Sequence, residues 1–131
     1  VLNDSPNNIS FWRTAIRTYF EIADIPKVIE TLDKTISLAP TDPKLLFNKA
    51  VILEATGQKE QAMLALKKAL DLKPNYLDAY YALALFYSQQ AEKDPQKASE
   101  YKASAREKLE YILKNIDPTH TASKELLESL K

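Results

Sequence analysis

Apolar positions recur at helical spacing almost throughout the chain, and the same positions return every 34 residues. Phe11, Trp12, Ala15, Ile16, Tyr19 and Phe20 make one apolar helical face, opened by Ser5-Pro6, a cap residue followed by proline at a first helical position. A second amphipathic stretch runs from Ile25 to Leu38 with Val28, Ile29, Leu32 and Ile36 inward. Asp42-Pro43 repeats the cap-plus-proline signal and predicts a helix to about Ala55, ended by Gly57 in the left-handed conformation. A fourth helix is expected over 59–72 on Ala62, Leu66, Ala69 and Leu70, and a fifth over 77–91. Asp94-Pro95 predicts a longer sixth helix to Ile116, broken by Asp117-Pro118. Ala122, Leu126, Leu127 and Leu130 give a short amphipathic helix at the end.

Trp12, Leu46 and Tyr80 are 34 apart, as are Tyr19, Leu53 and Tyr87, and Pro40 and Pro74. Pro118 follows Pro74 by 44 residues, one 34-residue period plus ten. A fixed period of large residues and prolines means stacked helix pairs rather than one compact catalytic fold. The connections are short, which makes neighbouring helices antiparallel. No linker or low-complexity tract interrupts the 131 residues, so one domain is expected over 1–131.

Composition narrows the functional classes. A single glycine, Gly57, argues against β-hairpins, phosphate-binding loops and dinucleotide folds. With no cysteine, disulfides, zinc-thiolate sites and thiol catalysis are excluded. Eighteen basic and eighteen acidic residues balance, so no attraction to nucleic acid or to an anionic membrane is built in. No stretch approaches the roughly 18 apolar residues of a membrane span. The chain starts at Val1 rather than methionine, as a segment of a longer protein would, and compartment is left open.

Residues 43–76 resemble the tetratricopeptide repeat. Leu46, Ala50, Leu53, Gly57, Ala62, Leu66, Ala69 and Pro74 match its order of large, small, large, turn glycine, small residues and closing proline. Ala50 and Ala62 are where the two helices of a pair approach, and larger side chains would separate them. The repeat at 9–42 keeps Trp12, Tyr19 and Pro40 but has Ile16, Val28 and Thr35 at the small positions. The repeat at 77–118 keeps Tyr80, Leu83, Ala84 and Tyr87, carries an insertion near 90–101, and resumes with Ala105, Leu109, Ile112 and Pro118. The resemblance implies an all-α, right-handed solenoid of three helix pairs, with residues 119–131 as a capping helix.

The resemblance also implies a protein or peptide partner in a concave groove lined by the first helix of each pair. Helical phase then selects Arg13, Arg17, Phe47, Asn48, Val51, Tyr81 and Leu85 as peptide-binding candidates. Phe47, Val51, Tyr81 and Leu85 stand where solvent should reach, and this apolar strip flanked by Arg13 and Arg17 suits a peptide with an acidic residue. Shielding by curvature of the stack, or a contact between copies, accounts for the same residues equally well. A subtype that clamps carboxylates of chaperone tails is a poor match. Arg13 and Asn48 fit its pattern, but Arg17 replaces an asparagine, and Asp78 and Ala82 replace a lysine and an arginine.

No catalytic, metal or cofactor site is expected. His120 is the single histidine and reads as a surface residue of a turn, with Asp117 as the cap of the last helix. Glu107 and Glu110 lie among Lys102, Arg106, Lys108 and Lys114, where solvated ion pairs explain them. Asn8-Ile9-Ser10 is a weak match to a glycosylation sequon. Three functional readings follow. The first is a non-enzymatic protein-interaction scaffold. The second comes from Tyr80 to Pro118, which looks similar to soluble repeat domains appended to bacterial membrane glycan polymerases or ligases. The third is a homo-oligomerisation module.

Overall fold

The computed structural model describes residues 24–131. The expected first helix, with Arg13 and Arg17, lies outside them. Six α-helices and no strand occur among the described residues: α1 (Ile25–Leu38), α2 (Pro43–Ala55), α3 (Lys59–Leu72), α4 (Leu77–Lys93), α5 (Ala98–Tyr111) and α6 (Thr121–Ser129). The backbone divides into two compact units, Val1–Pro74 and Asn75–Lys131, at the proline expected to close the second repeat.

In the first unit α2 packs on both α1 and α3. Asp42 caps α2 as expected: its carboxylate accepts from the Lys44 backbone N–H at 3.0 Å, and Pro43 fills the first helical position. Three residues turn the chain from α2 into α3. Gly57 takes φ 84 there, the only positive φ among the described residues. Its N–H donates to Glu54 O, and the Gln58 N–H reaches back to Leu53 O at 2.8 Å, so carbonyls left over at the helix end are satisfied. Ala50 on α2 and Ala62 on α3 are both buried, as close approach of a helix pair requires. Leu53, Leu66 and Ala69 are buried with them. On α1 the inward row Val28, Ile29, Leu32 and Ile36 is only half-buried.

In the second unit α5 packs on α4, and α6 packs on α5. The inserted residues lengthen this pair: α4 has 17 residues where α2 has 13. The expected helix start at Pro95 is displaced. Asp94 does not cap a helix there; its carboxylate holds a turn by accepting from the N–H groups of Gln96 and Lys97 at 3.2 and 3.3 Å, and α5 begins at Ala98. The far end of α5 widens into a π turn over Ile112–Ile116, closed by Asp117 N–H donating to Ile112 O at 2.8 Å. Pro118, which has no N–H to offer, follows one residue later.

Nothing lies within 4 Å of a Cβ built on Gly57, so only its backbone conformation resists a side chain. Gly57→Ala should therefore lower stability by about 1 kcal/mol, the cost of a left-handed alanine, with no repacking. Chemical denaturation checks this; a loss several times larger would mean the turn depends on more than φ.

Candidate interaction surface

The groove candidates of the first unit that fall among the described residues stand on α2. Phe47 is not where solvent reaches: it is 0% exposed, and Asn48 beside it is 7% exposed. Val51, one turn on, is half-buried. Helical phase misplaced Phe47 because it presumes one wet face. Phe47, Asn48, Ala50, Ile52 and Leu53 are all buried, so α2 is enclosed on most of its circumference. Phe47 thus belongs to the core. Asn48 keeps a different property. Its side-chain oxygen is buried and accepts no hydrogen bond, a rare condition for a buried polar group. Lys49 on the next position of α2 is instead tied to Asp33 of α1 by an ion pair of 2.7 Å.

In the second unit Tyr81 and Leu85 stand one turn apart on α4, both half-buried. Tyr81 is largely structural. It packs with Leu126 and Leu127 of α6 against a core of Ala84, Ala105, Leu109 and Leu130. Its ring meets that of His120 edge-on, centroids 5.6 Å apart. One residue earlier, Tyr80 stacks on Tyr111 at 4.6 Å, and the Tyr111 hydroxyl donates to Asn75 Oδ1 at 2.8 Å. Burial, and then the neighbouring Tyr111 and Glu107, push the Tyr80 phenol above its ordinary value, so it stays neutral.

His120 is more than the surface residue its lone place in a turn suggested. It caps α6: Nδ1 accepts from the Ser123 backbone N–H at 3.3 Å and lies 2.6 Å from the Ser123 hydroxyl, whose residue is fully buried. That arrangement places the ring proton on Nε2. Asp117, expected as the cap, organises the turn before it. Its carboxylate accepts from the Thr119 N–H at 2.9 Å and the Thr119 hydroxyl at 2.7 Å, and those bonds hold it below the usual carboxylate range. The local pattern Asp-Pro-Thr-His-Thr resembled a cap at Asp117, and two more turn residues moved the helix start. Arg106 ties the other end of α6 by donating to Leu130 O at 3.2 Å.

Ser123 and His120 do not make a catalytic pair. The serine is closed to solvent, and no carboxylate is hydrogen-bonded to the imidazole among the described residues. Among the same residues no group of three His, Cys, Asp or Glu side chains is placed to hold a metal ion. No described helix is long and apolar enough to cross a membrane.

A tetratricopeptide-repeat family profile matches residues 31–63, and a second TPR-repeat profile matches residues 52–90. Residues 31–90 carry tetratricopeptide repeats. The matched stretch covers the capped start of α2, the Gly57 turn and the closing Pro74. A crystal structure of the protein MamA superposes with a TM-score of 0.68 at 25% identity, over 99% of this chain. The chain spans 66% of the length of that MamA chain. No curated protein matches. The fold is therefore the all-α fold of a tetratricopeptide solenoid, and the class of function that accompanies it is a protein-interaction scaffold.

Two expectations follow from these placements. Phe47→Ala should cost about 3–5 kcal/mol of stability, the range for an aromatic removed from a core; a loss below about 1 kcal/mol in denaturant titration would return Phe47 to the surface. Asp117, depressed by its bonds to Thr119, contributes stability that is present above its unfolded pKa and is lost as pH falls through the folded value. Replacing Thr119 by valine should flatten that acid limb of a stability-versus-pH curve, and an unchanged limb would contradict it.

Proposed function

We propose that the chain is a non-catalytic scaffold that takes an extended peptide or protein segment along α2, with Asn48 as the residue that engages its backbone. The observation that supports this most is the buried Asn48 Oδ1 without a donor. Leaving an acceptor desolvated and unpaired costs about 1–3 kcal/mol. With Asn48 7% exposed, a side-chain rotation has to bring Oδ1 to the surface, where an N–H group of a bound segment would supply the missing donor and recover that energy on binding. Val51, half-buried one turn away, would cover an apolar side chain of the same segment. Leu85 and the accessible edge of Tyr81 offer similar contacts in the second unit. Arg13 and Arg17 are the proposed orienting cations for an acidic residue of the segment. Phe47 no longer contributes a contact; its part is to hold α2 in place.

This reading separates binding from stability in one variant. Asn48→Ala removes an unpaired acceptor, so thermal stability should hold or rise slightly. Peptides selected from a random library against the native chain should bind the variant about tenfold more weakly, the equivalent of roughly 1.4 kcal/mol. Equal affinity for both proteins, or a stability loss that accounts for the weaker binding, would refute the role given to Asn48.

A further inference from the structure

The outer face of α3 carries a ridge at four-residue spacing: Glu60, Leu64, Lys68 and Leu72. All four are exposed, Leu64 by 60% and Leu72 by 41%, while Ala62, Ala65, Leu66 and Ala69 on the opposite side are buried. Neither Glu60 nor Lys68 forms an ion pair with a described residue. The sequence pattern is symmetric in one specific sense. Glu60 lies four residues before Leu64 and Lys68 four residues after it, about 6 Å along the axis on either side.

A two-fold axis through Leu64, perpendicular to the helix, places each residue opposite the one equally far on the other side. We infer that two copies of this chain associate through α3, antiparallel, with Leu64 against Leu64 and Glu60 of each copy against Lys68 of the other. Such a contact is isologous, so it closes as a dimer and does not propagate. The balanced charge of 18 against 18 leaves no net repulsion between copies to oppose it. One helix face buries little area, so the association is weak and concentration-dependent. It involves none of the residues assigned to peptide capture, and it stands whether or not that assignment does.

Charge reversal tests the pairing with the whole chain. Glu60→Lys alone puts lysine opposite lysine, and Lys68→Glu alone puts glutamate opposite glutamate. Each should weaken self-association about tenfold or more in sedimentation equilibrium, as should Leu64→Glu, with helical circular dichroism unchanged. An equimolar mixture of Glu60→Lys and Lys68→Glu chains restores both opposite-charge pairs in the mixed dimer and should recover native association. The inference is overturned if the native chain stays monomeric to its highest soluble concentration. It is equally overturned if association persists in the single variants, or if mixing them restores nothing. Peptide affinity should be untouched by these variants, which separates failure here from failure of the Asn48 assignment.

Discussion

Close approach of two helix backbones is the condition on which the rest of the molecule depends. Where α2 and α3 meet, the residues are Ala50 and Ala62; where α4 meets α5, they include Ala84 and Ala105, each 0% exposed. Small side chains let the helices of a pair draw together, and the large residues then interlock around the seam. Because the seam is tight, the connection must be short, and a three-residue turn with one left-handed residue is what Gly57 provides. The α4–α5 pair keeps such a seam and carries its extra residues beyond it, in a longer α4 with Ala91 buried and in a polar turn held by Asp94.

This dependence explains what the amino-acid pattern made legible. Alanines, the turn glycine and closing prolines respond to backbone geometry, which does not depend on the neighbours a helix finally acquires. The bounds of α1, α2 and α3 were accordingly readable to the residue. Degree of burial was less readable. Leu46 and Tyr80 mark the 34-residue period yet are only half-buried, while Phe47, next to Leu46, is wholly enclosed. Helical phase gives a direction around an axis, but not what stands in that direction. For α2, apolar on nearly every side, direction alone could not separate core from surface.

Helix starts after aspartate-proline pairs show a second limit, one of competing local hydrogen bonds. Asp42, Asp94 and Asp117 precede proline in the same way. Only Asp42 caps the helix directly behind it. At Asp94 and Asp117 the carboxylate likewise accepts from N–H groups two or three residues on, but the chain makes a further bend before a helix begins. The cap of α6 then falls to His120, a residue type with low preference for that position. Its acceptance depends on the buried Ser123 three residues on and on Tyr81 against its ring, and the second of these is a contact between distant residues that local spacing does not reveal.

The two buried polar residues of the described chain sit in opposite situations, and the contrast bears on function. Ser123 is fully enclosed but bonded at both its hydroxyl and its N–H, so its burial serves the docking of α6. Asn48 is nearly as enclosed, and its oxygen has no donor. A leucine or alanine at position 48 would suit the apolar α2 better by every rule that governs the rest of that helix. A residue that breaks the local rule without a compensating bond inside the fold is where a bond from outside the fold is to be sought. The unpaired acceptor on α2 is the observation on which the proposed contact with a partner's backbone rests.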